Sequence, residues 1–111
     1  MPAPAKLPPP FEARDALVEI GAGIRTARLR RRQTARDLAG RMGVSLRTLL
    51  KLERGDPGVA IGTFATALWA LQMLAPVQDA LRPEADRIAA ALEANRAPRR
   101  ARRRRDPIDD L

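Results

Sequence analysis

An all-helical protein is what this sequence predicts, and three kinds of signal carry the prediction. Apolar residues recur at three- and four-residue steps, as in Leu17, Ile20, Ile24 and Ala27. Capping residues punctuate those runs, with Thr34 and Ser45 at starts and Gly43 and Gly55 at stops. Prolines crowd the first ten residues and return at Pro57, Pro76 and Pro83, between the runs rather than inside them. The expectation is a compact domain of four to five helices with an extra C-terminal helix and disordered ends.

The expected order starts with a Pro-rich disordered arm over residues 1–13, since five prolines among the first ten residues exclude a helix there. The main helical domain covers residues 14–82. Its first helix runs from Leu17 to about Arg31 or Arg32, and Gly21 and Gly23 weaken its start. Thr34 caps a second helix, with Asp37 in the first turn favoured by the positive end of the helix dipole. That helix runs to Met42, where Gly43 stops it. Ser45 caps a third, from Leu46 to Arg54, which Gly55 and the Asp56-Pro57-Gly58 turn end.

A fourth helix, Gly62 to Leu74, carries Phe64, Leu68 and Leu71 on one side and Ala65, Trp69 and Met73 on another. A helix apolar nearly all round needs cover on every face, so its second face is expected to meet another chain. A short piece follows around Val77 to Leu81. The C-terminal helix spans residues 83–95, with Pro83 at its first position, Glu84 and Asp86 in its first turn, and a stripe of Ala85, Ile88, Ala89 and Leu92. Trp69, Met73, Ile88 and Leu92 are the expected dimer or partner surface. Residues 96–111 form an Arg-rich tail, expected to be disordered, in which Arg96 to Arg105 include seven arginines.

Composition narrows the function. The chain has no Cys and no His, which removes thiol nucleophiles, imidazole bases, disulfides and the usual transition-metal ligands. No Gly-rich phosphate loop or serine nucleophile elbow is present. The chain therefore reads as non-enzymatic, with no catalytic residue, cofactor or metal site expected. The Pro- and Ala-rich start lacks the apolar run of a secretory signal and no segment matches a membrane span, so the expected compartment is the cytoplasm, or the nucleoid when bound to DNA. Only about 80 residues remain to build a core, a size at which a homodimer commonly adds stability.

The distribution of charge says more than the total of +8. From Arg14 to Arg54 there are eleven basic residues against four acidic, a net of +7, whereas Gly55 to Asn95 carries two basic against five acidic, a net of −3. A one-sided positive field attracts a polyanion. The stretch from Leu38 to Leu52 places apolar Leu38, Met42, Val44, Leu49 and Leu52 around a small Ala39 and a turning Gly43, which is what two short helices crossing closely through a tight turn require.

These residues resemble the lambda-repressor-like (Xre/Cro) helix-turn-helix family over about Leu17 to Leu81, through the strings IRTARLRRRQTARDLAGRMGVS and LLKLERG. The resemblance implies duplex DNA as partner, with the third helix in the major groove. Base reading would then fall to Ser45, Leu46, Arg47, Thr48, Leu50 and Lys51, chiefly Arg47 and Lys51. Gln33, Thr34 and Arg36 at the start of the second helix, with Arg54, would meet phosphate. The resemblance also implies an orienting ion pair between Arg28 and Glu53. Two positions depart from the family. Ala35 stands where a bracing Gln is common, and Leu46 with Leu50 makes an apolar ridge that suits either thymine methyl groups or a protein.

A narrower stretch, ERGDPGVAIGTFATALWALQM, is similar to HipB-like antitoxins. It implies a HipA-like serine/threonine kinase toxin as partner and repression of the pair's own promoter. A stand-alone phage-type repressor, or an interaction module with a decayed DNA face, are the other readings of the same residues.

Overall fold

A computed structural model describes residues 7–96. Among these residues the chain is all-helical and contains no strand: α1 Phe11–Arg30, α2 Ala35–Met42, α3 Leu46–Glu53, α4 Ile61–Ala70, α5 Leu74–Ala80, a 3-10 turn Pro83–Ala85 and α6 Arg87–Arg96. No described helix is long and apolar enough to cross a membrane. The chain divides between Pro76 and Val77 into two compact units. The expectations for residues 1–6 and 97–111 lie outside the described residues.

The first helix begins six residues before the expected Leu17, so residues 11–13 belong to α1 and not to the arm. Pro10 ends the extended lead-in, and Glu12 sits in the first turn, where a carboxylate is favoured by the helix dipole. Core periodicity could not mark this start, because the early apolar side chains Phe11 and Val18 are exposed. Nothing between Phe11 and Ile20 breaks a helix, and local propensity carries it.

The helices of the first unit share one way of stopping. After α1, α2, α3 and α4 a residue turns left-handed, at Arg32, Gly43, Gly55 and Gln72 respectively. In each case the next amide reaches back to a carbonyl five residues earlier: Gln33 to Arg28 at 3.2 Å, Val44 to Ala39 at 3.0 Å, Asp56 to Lys51 at 3.1 Å and Met73 to Leu68 at 2.8 Å. This is the Schellman closure, which satisfies carbonyls the helix leaves open. Gln72 thereby ends α4 before the expected Leu74, and α5 opens at Leu74 with Pro76 still in its first turn, where no amide is needed.

The core is small. Leu38, Leu49 and Leu71 are fully sealed, and Ile24, Ala27, Ala39, Met42, Leu52, Ala67 and Ala70 complete the cluster. Ile24, Ala27, Leu38, Met42, Leu49, Leu52 and Leu71 lie on the faces that their helical period assigned, and Ala67 and Ala70, which it does not mark, join them. The fourth helix is less symmetric than its composition suggests: Ala67, Leu68 and Ala70 are buried, but Ile61 is 82% and Trp69 59% exposed. Met73, expected on the partner surface, is instead half-buried against the core, because the chain reversal at Gln72 carries it back.

The expected C-terminal helix is broken. Pro83 opens a 3-10 turn, and α6 starts only at Arg87, with Asp86 Oδ1 accepting the Ala89 amide at 3.0 Å. Asp86 serves as a cap rather than a first-turn charge, since a short carboxylate gains more by accepting an open amide than by continuing the helix. Ala85 consequently falls outside the α6 stripe, and Arg96 belongs to the helix rather than to the tail. Within this unit Ile88 and Leu92 are exposed and Ala89 is half-buried.

One pair of glycines in α1 takes opposite roles. A Cβ on Gly21 would lie 2.6 Å from the Glu53 carbonyl oxygen and 2.7 Å from both the Gly55 nitrogen and the Leu52 carbonyl oxygen, so α1 rests backbone to backbone on the end of α3. Around Gly23 nothing lies within 4 Å. Gly21→Ala is expected to lower stability by about 2 kcal/mol through overpacking against rigid backbone. Gly23→Ala should raise it by about 0.5 to 1 kcal/mol. Denaturant unfolding of both variants checks this, and shifts in one direction for both would contradict the packing described.

Candidate nucleic-acid interface

The unit formed by α2, a three-residue turn and α3 is assembled from local chemistry. At its start, Thr34 Oγ1 accepts the Asp37 amide at 3.0 Å while Asp37 Oδ2 accepts the Thr34 amide at 3.1 Å, a reciprocal capping box. Gly43, at φ 71°, closes α2, and Ser45 Oγ accepts the Thr48 amide at 3.1 Å to open α3. Leu38, Ala39 and Met42 of α2 face Leu49 and Leu52 of α3 inside one buried cluster, with Val44 packed against it.

With those side chains inward, the outer side of α3 follows from the helical turn of roughly 100° per residue. Arg47, Lys51 and Arg54 lie opposite Leu49, Leu52 and Glu53. Arg47, Leu50 and Arg54 are exposed, whereas Leu46, Thr48 and Lys51 are half-buried. Among the described residues Arg47, Lys51 and Arg54 form no ion pair. Ser45 caps α3 as expected: its oxygen accepts the Thr48 amide, and its hydroxyl donates to Thr48 Oγ1 at 3.0 Å. Each of these two hydroxyl oxygens thus already accepts one hydrogen bond at the start of α3.

The start of α2 is likewise partly committed. Arg36 and Thr34 are exposed, but the carboxylate of Asp37 already occupies the Thr34 amide. Hydrogen bonding to its carboxylate from Thr34, the backbone amide foremost and the side chain second, holds the Asp37 carboxyl below the usual aspartate range. Gln33 is half-buried, with its side-chain oxygen buried and without a partner among the described residues.

Arg28 and Glu53 are joined by a buried, two-pronged ion pair. Arg28 Nε meets Glu53 Oε2 at 2.7 Å and Nη2 meets Oε1 at 3.0 Å, with side-chain exposures of 8% and 5%. The third nitrogen, Nη1, donates to the Gln33 carbonyl oxygen at 3.0 Å. One guanidinium therefore ties α1, the α1–α2 turn and α3 together. The hydrogen bonds to Glu53 outweigh desolvation and push the Arg28 pKa up.

Two surface features lie beside this unit. Trp69 borders a shallow hollow with Arg41, Gln72, Leu74 and Ala75. An apolar groove of about 310 Å³ runs between α1 and the start of α4, lined by Leu17, Ile20, Leu52, Val59, Ile61 and Phe64. Sequence periodicity alone missed the groove, because Ile20 belongs to the apolar stripe of α1 by pattern and is exposed in fact, and Ile61 precedes the expected start of the fourth helix. Among the described residues no group of three or more acidic side chains is placed to hold a metal ion. No family model, curated protein or solved structure matches the chain.

Two outcomes follow from this geometry. Arg28→Met or Glu53→Leu alone should cost about 3 kcal/mol or more by stranding a buried charge, whereas the double variant should recover most of that loss. Urea unfolding of the four proteins tests it, and simply additive losses would refute a coupled pair. For Asp37, a lowered folded-state pKa means that its stabilisation is complete above the ordinary value of 3.8 and fades as pH falls through the lower folded value. Asp37→Asn should remove that acid-side slope, measured as thermal midpoints between about pH 6 and pH 2.

Proposed function

We propose that this chain is a sequence-specific duplex DNA-binding transcriptional regulator built on a lambda-repressor-like helix-turn-helix. In that arrangement α2 crosses the DNA backbone and α3 enters the major groove. The observation that carries the reading is the outer face of α3, where Arg47, Lys51 and Arg54 stand without an ion pair among the described residues. The acids of α2, α3 and the turn that follows hold other partners: Asp37 the Thr34 amide, Glu53 the Arg28 guanidinium, and Asp56 the Gly58 amide. A positive face of this kind suits a polyanion whose grooves are wide enough for a helix. The protein acts as a homodimeric repressor, and its two copies address half-sites about one helical turn, roughly 10 base pairs, apart.

A second partner is supported by a different feature. The Asp56-Pro57-Gly58 turn, closed by the 2.7 Å bond from the Gly58 amide to Asp56, leads into a helix that leaves Trp69 59% exposed. Large aromatic side chains left uncovered are common anchors of protein interfaces. Together with the resemblance to HipB-like antitoxins, this favours a HipA-like kinase toxin as the partner. An adjacent kinase-like reading frame whose product co-purifies with this chain, and is lost from it in Trp69→Ala, is the expected finding. A regulator that acts alone would show neither.

DNA binding is tested by titrating the full chain with duplexes selected from a random pool at several salt concentrations. Arg47→Ala or Lys51→Ala should cost about 1 to 3 kcal/mol and relax the preference at one base position. Arg36→Ala should weaken all sequences alike and flatten the salt dependence by about one unit of slope. Identical behaviour of the two sets would defeat this division of labour.

A further inference from the structure

We propose that the outer face of α3 selects keto-bearing bases: guanine through its N7 and O6, and thymine through its O4 and methyl group. Arg47 and Lys51 would be the donors and Leu50 the methyl contact. The proposal rests on the DNA-binding reading above.

Its basis is the kind of hydrogen-bonding group that the outer face presents. Guanidinium and ammonium groups donate and never accept. Arg47, Lys51 and Arg54 are therefore donors only. The remaining polar side chains on α3 and its cap are Ser45, Thr48 and Glu53. Ser45 Oγ accepts the Thr48 amide and donates to Thr48 Oγ1, so each hydroxyl oxygen already accepts one bond, and Glu53 is buried in its pair with Arg28. No Asn, Gln or Asp lies between Ser45 and Arg54. Cytosine and adenine each turn an amino group into the major groove, and an amino group needs an acceptor. Each base pair holds one keto and one amino base, so the rule concerns the strand nearest these donors: an amino group there would lose its water and gain no partner, whereas guanine or thymine there offers an acceptor. Guanine offers two acceptors side by side, the match for a guanidinium fork, and thymine offers one acceptor beside a methyl group.

The apolar half of the pattern falls on one residue. Leu46 and Leu50 form a ridge by sequence, but Leu46 is half-buried while Leu50 is 40% exposed. Leu50 is three residues after Arg47 and four before Arg54, so it neighbours a cation on either side. Side chains so spaced are about 5 to 6 Å apart, against a rise of about 3.4 Å per base. The thymine that Leu50 touches should therefore lie within about two bases of the guanine that Arg47 reads.

Atomic substitution in DNA tests this directly. The full chain is used to select a duplex from a random pool, and each guanine of the winner is replaced in turn by 7-deazaguanine, which lacks N7, and each thymine by uracil, which lacks only the methyl group. At one guanine the deaza base should weaken binding about tenfold for the native chain and leave Arg47→Ala unaffected. Within two bases, uracil should weaken binding about three- to fourfold, the worth of one buried carbon, and leave Leu50→Ala unaffected. Both side chains are exposed, so unchanged melting of the two variants confirms that they fold. Selective binding that tolerates every deaza and uracil replacement would overturn the keto-base rule while DNA binding itself stands. Absence of selective binding would overturn the functional reading, and this inference with it.

Discussion

The guanidinium of Arg28 is the point from which the geometry of the first unit is set. Its three nitrogens meet two oxygens of Glu53 and one carbonyl of the α1–α2 turn, nearly out of contact with water. A charge in that position tolerates little displacement, because any arrangement that separates the pair leaves it buried and uncompensated. The pair therefore discriminates among packings that leucine contacts alone would accept almost equally well. Once α3 is held by Glu53, its other side is defined by subtraction, and Arg47, Lys51 and Arg54 are what remains outside.

Much of this was legible in the sequence, for identifiable reasons. Thr34, Gly43 and Ser45 lie where the expected helix ends lie, since short polar side chains and glycine act on the backbone within a few residues. The core positions Leu38, Ala39, Met42, Leu49 and Leu52 followed from their period. Boundaries controlled by something other than burial did not. The start of α1 is exposed, so its apolar pattern is silent there. The end of α4 uses Gln72 in a conformation that normally advertises itself by glycine. Asp86 carries the same residue signature whether it caps a helix or decorates its first turn.

The outer face was legible only in part. Identity and spacing placed Arg47 and Lys51 together, and Ser45 closes the start of α3 where its position before the apolar run put it, but exposure was not readable from the pattern. Leu46 and Leu50 are alike by pattern and differ in exposure. Gly21 was the largest misreading. Counted by propensity it weakens a helix, and in the fold it is the site at which two backbones touch.

That contact at Gly21 has a reach beyond packing. Side chains between helices act as a compliant layer that can change rotamer and let one helix settle against another. Here Gly21 meets the carbonyls of Leu52 and Glu53, and Gly55 meets the backbone at Leu17, with no such layer between. The last turn of α3 is seated on a hard surface, and little conformational entropy is left in it to lose. A ligand that docks on α3 meets a shape already set, so its affinity is not diluted by ordering the protein.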